Sequence, residues 1–242
     1  MTVGIALQAK QYTSYPYFMK AKDVACFDYF DRATLNPTNA IAYYVATPAT
    51  AGTAITNSDN LVVTTAAVDD DYIDLKCSEF ALARTSLSGI TGINPSLSTG
   101  NRIRVQFEFH PNESTQTAGF VGLVTPATLT AIPSTARHLG ITWDTDVDAN
   151  MYITSSNGTT QVKTTAITLA TTARLVDINW TGLNTATITV YTASTMASVM
   201  TENITAIGGN NDTSLEPHWF CQSRQVTTAK NLIGKWWGFK PY

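Results

Sequence analysis

Arg102-Ile103-Arg104-Val105-Gln106-Phe107-Glu108-Phe109 alternates polar and apolar residues without a break. Successive side chains of a β-strand point to opposite faces. Ile103, Val105, Phe107 and Phe109 therefore line one face, and Arg102, Arg104, Gln106 and Glu108 the other. One dry face and one wet face is the pattern of an antiparallel sheet packed on one side. Two further stretches repeat it. Residues 174–180 bring Val176, Ile178 and Trp180 together, and residues 185–191 line a wet face with threonine. Less regular strands are expected at 24–30, 41–46, 61–65, 72–76, 80–83, 120–124, 139–143, 151–155, 219–222 and 232–239. Turn signals such as Asn157-Gly158, Asn94-Pro95 and Gly208-Gly209 separate them. The strands flanking Asn157-Gly158 read as a tight hairpin. Residues 126–132 and 193–200 each read as a helical turn.

Composition agrees. About 40 of the 242 residues are Thr, whose branched Cβ suits a pleated surface better than a helix. Only 14% are charged, and the glutamates are Glu79, Glu108, Glu113, Glu202 and Glu216. The expectation is an all-β, two-sheet antiparallel β-sandwich. No window of 18 apolar residues marks a membrane-spanning helix. The net charge is −3 with no basic stripe, which argues against nucleic-acid binding and against attraction to an anionic membrane. The N-terminal residues lack the basic start and long apolar stretch of a secretory signal. Cys26, Cys77 and Cys221 are odd in number and widely spaced, which reads as buried thiols rather than a disulfide framework.

Residues 1–23 differ from the rest. Tyr12, Tyr15, Tyr17 and Phe18 crowd a stretch with no strand alternation. This reads as an extended N-terminal arm whose aromatic residues pack on their own domain or contact a partner, followed by one sandwich domain over 24–242. Tyrosine provides large contact area at low entropic cost.

Several ordered stretches resemble the concanavalin A-like lectin/glucanase sandwich, a jelly roll of the laminin G-like superfamily. Phe27-Asp28-Tyr29-Phe30-Asp31-Arg32-Ala33 looks like its opening strand, and Ile55-Thr56-Asn57-Ser58-Asp59-Asn60-Leu61 like its next step. Asp70-Asp71-Tyr72-Ile73-Asp74-Leu75 looks like an edge strand that follows. Gly119-Phe120-Val121-Gly122-Leu123, Gly140-Ile141-Thr142-Trp143-Asp144 and Val176-Asp177-Ile178-Asn179-Trp180-Thr181 look like its central strands. Lys235-Trp236-Trp237-Gly238-Phe239 looks like the closing strand, which in that fold returns beside the first. The Thr/Ala-rich, weakly charged texture also resembles bacteriophage virion proteins carrying this sandwich.

The glucanase branch of that superfamily uses a Glu-x-Asp-x-x-Glu strand as nucleophile and acid/base. The nearest approach here is Glu108-Phe109-His110-Pro111-Asn112-Glu113, where His110 replaces the middle carboxylate and Pro111 puts Glu113 in a turn. The expectation is therefore no catalytic residue and no enzyme. Asp144, Asp146 and Asp148 form a weak calcium candidate, since alternating Asp supplies hard oxygens. Ala149 and Ser155 stand where a calcium loop of the EF-hand kind needs Gly and Glu. No cofactor is otherwise expected, and no zinc spacing occurs among His110, His138 and His218. Asp69-Asp70-Asp71 reads as a charged cap before an edge strand. For carbohydrate, Trp236 and Tyr152 are the candidate stacking platforms. Trp236 and Trp237 are expected on opposite faces of one strand.

The functional expectation is a non-enzymatic phage virion component, made in the host cytoplasm. It would be a decoration or cement protein on the outside of the head shell, with the major capsid protein or other virion subunits as partners. The arm would mediate adhesion, and a closed homo-oligomer such as a trimer would form. The alternative is a glycan-binding, lectin-like module of a tail fibre or receptor-binding protein.

Overall fold

A computed structural model of the chain describes residues 26–28, 30, 35, 44–57, 60–77, 103–125, 127–180, 185–205, 215–225 and 228–241. The expected strand at 80–83, the arm residues Tyr12, Tyr15, Tyr17 and Phe18, and the side chains of Ile103 and Trp180 lie outside the described residues. The described strands run in chain order: β1 (Cys26–Asp28), β2 (Tyr44–Pro48), β3 (Thr53–Thr56), β4 (Leu61–Thr64), β5 (Tyr72–Cys77), β6 (Ile103–Pro111), β7 (Thr117–Val124) and β8 (His138–Asp144). They continue as β9 (Asn150–Ser156), β10 (Gln161–Thr168), β11 (Arg174–Trp180), β12 (Ala186–Thr192), β13 (Ala197–Ile204), β14 (Glu216–Ser223) and β15 (Asn231–Pro241). No described residue is helical.

Two antiparallel sheets form. Sheet A is ordered β13-β12-β11-β6-β15-β4-β3, with β1 also paired to β15; sheet B is ordered β10-β9-β8-β7-β14-β5-β2. The closing strand does return beside the first: Phe239 pairs with Cys26 and Trp237 with Asp28. Strand β5 lies between β14 and β2, so it is interior to its sheet rather than the expected edge. Of the acidic run before it, Asp69 and Asp70 are exposed, as a charged cap should be, but Asp71 is not. Asp71 is buried and accepts hydrogen bonds from Thr50 Oγ1 (2.5 Å) and the Ala66 amide (2.6 Å).

Of the two helical turns expected from sequence, one is met by a single uncontinued turn, in which the Met196 amide donates to the Thr192 carbonyl (2.8 Å), and the other does not form among the described residues. Residues 193–196 form a tight turn leading into β13, and residues 127–132 form bends. The hairpin around Asn157-Gly158 has a four-residue loop. Asn157 Oδ1 accepts from the amides of Thr159 (2.9 Å) and Thr160 (2.8 Å), and Gly158 takes φ +92°, a region that glycine enters at little cost.

The core lies between the sheets. Val105, Phe107 and Phe109 of β6 all point into it, as the alternation requires. Trp219 of sheet B meets Phe107 at 5.6 Å, Phe30 at 5.9 Å, and Tyr44 and Trp237 at 6.0 Å between ring centroids. Trp237 Nε1 donates to Tyr44 Oη at 2.5 Å, so this polar end is satisfied inside the cluster. Cys77 and Cys221 are buried members of the core, and burial pushes the Cys221 thiol up to about 12.

Glycines set how closely strands and rings approach in sheet B. Trp143 lies on Gly119, where an added Cβ would meet the indole at 2.2 Å. On the opposite face Gly122 and Gly140 are cross-strand partners, and the ring of Phe120 sits beside both. A Cβ on Gly122 would come within 2.3 Å of the Leu139 carbonyl and 2.6 Å of the Gly140 Cα. Those contacts are backbone and have nowhere to go. Gly122→Ala is therefore expected to cost about 3 kcal/mol or more, at the upper end of overpacking penalties. Urea unfolding monitored by tryptophan fluorescence checks this.

Candidate functional site

In sheet B the residues between the core-facing ones form an outer face. Ile73 and Leu75 point inward, so Tyr72, Asp74 and Lys76 point outward. By the same alternation β14 presents Glu216, His218, Phe220 and Gln222, β7 presents Phe120, Gly122 and Val124, and β9 presents Asn150, Tyr152 and Thr154.

Half of this face is covered by residues 127–137. Leu129, Ile132 and Ala136 of this strap pack on Phe120, Val124 and Phe220, with Tyr72 stacked on Phe220 at 5.9 Å. Polar ties hold it down. The Leu129 amide donates to Asp74 Oδ2 (2.8 Å), Gln161 Nε2 donates to the Pro133 carbonyl (3.0 Å), and His138 Nδ1 bonds the Ala136 carbonyl (2.7 Å). The outer face of a sheet was expected to be wet. Here Thr142 and Thr154 are as buried as the core.

A polar cluster lies at the strap's edge. Asp74 Oδ1 bonds His218 Nδ1 at 2.8 Å, and both side chains are buried. Glu216, two residues before His218 on the same strand, lies 3.9 Å from Lys76 Nζ. Burial pushes the Glu216 carboxyl above the ordinary range, opposed by the nearby Lys76. His218 Nε2 and Glu216 Oε2 are both buried without a hydrogen-bond partner. Sequence reading passed over this set because Asp74 and His218 are 144 residues apart. The spacing Glu216-x-His218 on a strand was the available signal.

Beyond the strap the face is more open, around Asn150 and Tyr152 of β9 and Lys163 of β10. Tyr152 is half-buried, and its hydroxyl donates to Asp148, which raises the phenol and lowers the carboxyl. Lys163 Nζ sits 5.8 Å over the ring, and the Asn150 amide donates to Asp148 Oδ1 (2.8 Å). An aromatic face with a carboxylate, an amide side chain and an ammonium around it can stack on a sugar ring and bond its hydroxyls.

The other sequence candidates fall elsewhere. Trp236 is on the opposite face of β15 from Trp237, as expected, but it is only 5% exposed and its Nε1 donates to Glu108 Oε2 at 2.6 Å. It is a packed residue and offers no open platform. Burial dominates the upward shift of the Glu108 carboxyl. Glu113 pairs with Lys230, on a loop away from Glu108. Of the calcium candidates, Asp144 is held by Arg224 through Nε (3.1 Å) and Nη2 (2.7 Å), while Arg224 Nη1 reaches Asp70 (2.6 Å). Asp148 is turned to Tyr152. The guanidinium stands where a cation would compensate the loop, and no cluster of three metal-type ligands forms among the described residues.

No family model matches the sequence, and no curated protein matches it. Solved structures do match in fold. A β-1,3-glucanase from Mycobacterium marinum superposes with a TM-score of 0.58 at 9% identity, over 91% of this chain and 100% of that one. Arcelin-5, a lectin-like defence protein from Phaseolus vulgaris, gives 0.54 at 11% identity over 82% and 92%. The exoplasmic/lumenal domain of VIP36, in its Ca2+/Man3GlcNAc-bound form, gives 0.52 at 10% identity over 81% and 82%. The chain has the concanavalin A-like sandwich fold. That sandwich carries both lectins and glycosyl hydrolases, so fold alone does not choose between binding and catalysis.

His138 provides a test of strap packing. Burial lowers it from 6.5 to about 4. As pH falls through 6.5 the unfolded chain takes up a proton that the folded chain refuses until about 4. Stability is thus full above 6.5 and declines below it, by roughly 3 kcal/mol across the window. His138→Gln should flatten this acid limb in urea titrations run from pH 7 to pH 4.

Proposed function

We propose that this protein is a non-catalytic carbohydrate-binding module, with the more open part of the sheet B face as its site. The half-exposed ring of Tyr152, flanked by Asp148, Asn150 and Lys163, carries the reading. Presence of the same fold in the VIP36 exoplasmic/lumenal domain captured with Ca2+ and Man3GlcNAc supports it. Binding is preferred to hydrolysis because the acidic residues bordering this face are otherwise engaged. Asp74 is committed to His218 and the strap, Glu216 is buried beside Val124, and Glu108 belongs to the other sheet. A hydrolase needs two carboxyl groups open to one glycosidic bond.

The head-shell decoration role expected from sequence rests on Tyr12, Tyr15, Tyr17 and Phe18, outside the described residues. The fold comparisons lend it no support, and carriage on a virion stays a separate proposal, tested by co-purification with particles.

A glycan array followed by calorimetry on the best ligand tests the binding reading. Tyr152→Ala should weaken binding at least tenfold, about 1.4 kcal/mol, with the unfolding midpoint nearly unchanged. Trp236→Ala should do the reverse, lowering stability by about 3 kcal/mol while the folded fraction binds normally. Affinity should be equal with added calcium and with a chelator, because Arg224 already compensates Asp144. An array with no ligand overturns the proposal.

A further inference from the structure

Tyr152 serves as a platform only if its ring keeps one orientation, and the bonds that fix it lead away from the ring to the end of β14. The Tyr152 hydroxyl donates to Asp148, and the Asn150 amide donates to the same carboxylate (2.8 Å). Asp148 is placed by the turn before it. Its amide and that of Val147 both donate to the Asp144 carbonyl (3.1 Å each), and the Asp146 amide donates to Asp144 Oδ1 (3.2 Å). Asp144 in turn accepts two guanidinium bonds from Arg224, from Nε at 3.1 Å and from Nη2 at 2.7 Å. A continuous run of bonds, broken by no solvent gap, therefore joins Arg224 to the phenol of Tyr152.

Backbone strain collects around that guanidinium. Five non-glycine residues among those described take a left-handed φ. Three of them adjoin Arg224. Asp70 (φ +56°) accepts from Nη1 at 2.6 Å, Gln116 (φ +53°) accepts from the Arg224 amide at 2.9 Å, and Gln225 (φ +53°) follows it in the chain. Conformations of this kind cost energy and persist where the surroundings over-determine them. Asp146 stands 4.0 Å from Nε. Carboxylates from two loops thus converge on one cation whose side chain is only 17% exposed. Among the described residues, Arg224 is the ionic partner of all three. Without it Asp70, Asp144 and Asp146 would repel one another, and the turn that carries Asp148 would lose its counter-charge.

We infer that Arg224 is a positioning residue for Tyr152: a side-chain cation that grips Asp144 through two bonds, sets the turn over residues 144–148 and, through Asp148, fixes the ring. A guanidinium suits this task better than an ammonium. Its planar fork meets both carboxylate oxygens of Asp144 at once while a third N–H reaches Asp70. Arg224 bonds neither Tyr152 nor Asn150 nor Lys163, so its influence passes through Asp144 and Asp148. That the fixed ring serves ligand binding rests on the proposed carbohydrate face, but the coupling itself is measured without any ligand.

The test uses the full chain labelled with 13C-tyrosine, the Tyr152 signal being assigned by its loss in Tyr152→Phe. The Cζ shift of a phenol reports the hydrogen bond of its hydroxyl, and Asp148→Ala gives the value with that bond removed. In Arg224→Ala the Tyr152 signal is expected to move most of the way to the Asp148→Ala value. Hydrogen exchange at the Val147 and Asp148 amides should quicken about tenfold, with amides of β11 unchanged. Millimolar methylguanidinium should refill the space and return both readouts towards wild type. Methylammonium at the same concentration, a cation without the fork, should not. A folded Arg224→Ala protein whose Tyr152 signal stays at the wild-type position overturns the inference, because an ion pair that only stabilises the fold lowers the unfolding midpoint and leaves the ring where it was. Equal restoration by methylammonium overturns it as well. Should Arg224→Ala not fold, Arg224→Lys takes its place. It keeps the charge but loses the fork, so the Tyr152 signal must move in the same direction, and an unmoved signal overturns the inference. For the glycan that binds best on the array, Arg224→Ala should weaken affinity about tenfold, with recovery in methylguanidinium. An empty array would sink the proposed function and leave the Tyr152 measurement standing.

Discussion

The sandwich depends on Trp219 being able to reach across it. The residue sits on β14 of sheet B, and its ring meets Phe107 and Trp237 of sheet A and Tyr44 of β2, with Phe30 as the remaining wall. Each of these rings buries enough apolar area to contribute roughly 2–3 kcal/mol, and their edge-to-face contacts add to that. Phe30 holds its place with a φ of +56°, strained for an aromatic residue and tolerated because the pocket fixes the ring. Strands far apart in sequence are brought together by this one cluster. The closing strand β15 returns beside β1 with Trp237 facing inward, and β14 is fixed with Trp219 inward. Once Trp219 faces in, Glu216, His218 and Phe220 must face out. The inner cluster therefore dictates the composition of the outer face.

That outer face follows a second packing rule. Gly122 and Gly140 leave a depression that the Phe120 ring occupies, and Phe120 stacks edge-on against His138 at 5.7 Å. The strap completes this small second core by adding Leu129, Ile132 and Ala136. At one end of the sheet Arg224 ties Asp144 to Asp70, pinning the loops that precede β9 and β5. Tyr152 lies just beyond the covered region. Its position between a rigid, dry patch and a pinned loop gives it a fixed orientation while leaving its ring accessible, as a binding platform requires.

Strict alternation made β6, β11 and β12 legible, because one buried face demands period two and no register slip is allowed. Strand β13 was hidden. Val199 is a bulge between Ser198 and Met200 opposite Tyr191 and Val190, so its alternation breaks in the middle. Strand β3 has only four residues, too few for a period. The strap misled in the opposite direction: Leu129, Ile132 and Ala136 are spaced by three and four, which mimics a helical stripe. They share a side because the segment lies flat on a sheet. Glu216, His218 and Asp74 look unremarkable in sequence, and only the pairing of β14 with β5 joins them. Arg104, Gln106 and Glu108 read as a wet face, yet Gln106 is fully buried and Arg104 is paired with Asp177. Alternation assigns a side chain to a face but says nothing of what covers that face.

The same bulges bear on how such a molecule meets its partners. An open sheet edge invites another strand, and natural sheets blunt long edges with bulges and charges. Here the long outer strands of both sheets are bulged, β13 at Val199 and β10 at Thr165. β2 ends in Pro48, which cannot donate to a ladder, and β3 is short. Recognition by strand addition is thus disfavoured at these four strands. Faces and loop ends are the other surfaces for recognition. Of the faces, the outer side of sheet B combines an accessible aromatic ring with fixed polar neighbours and a cover held by hydrogen bonds and apolar packing. Binding there needs no change in the central sandwich, because the strap and the Trp219 cluster lie on opposite sides of one sheet.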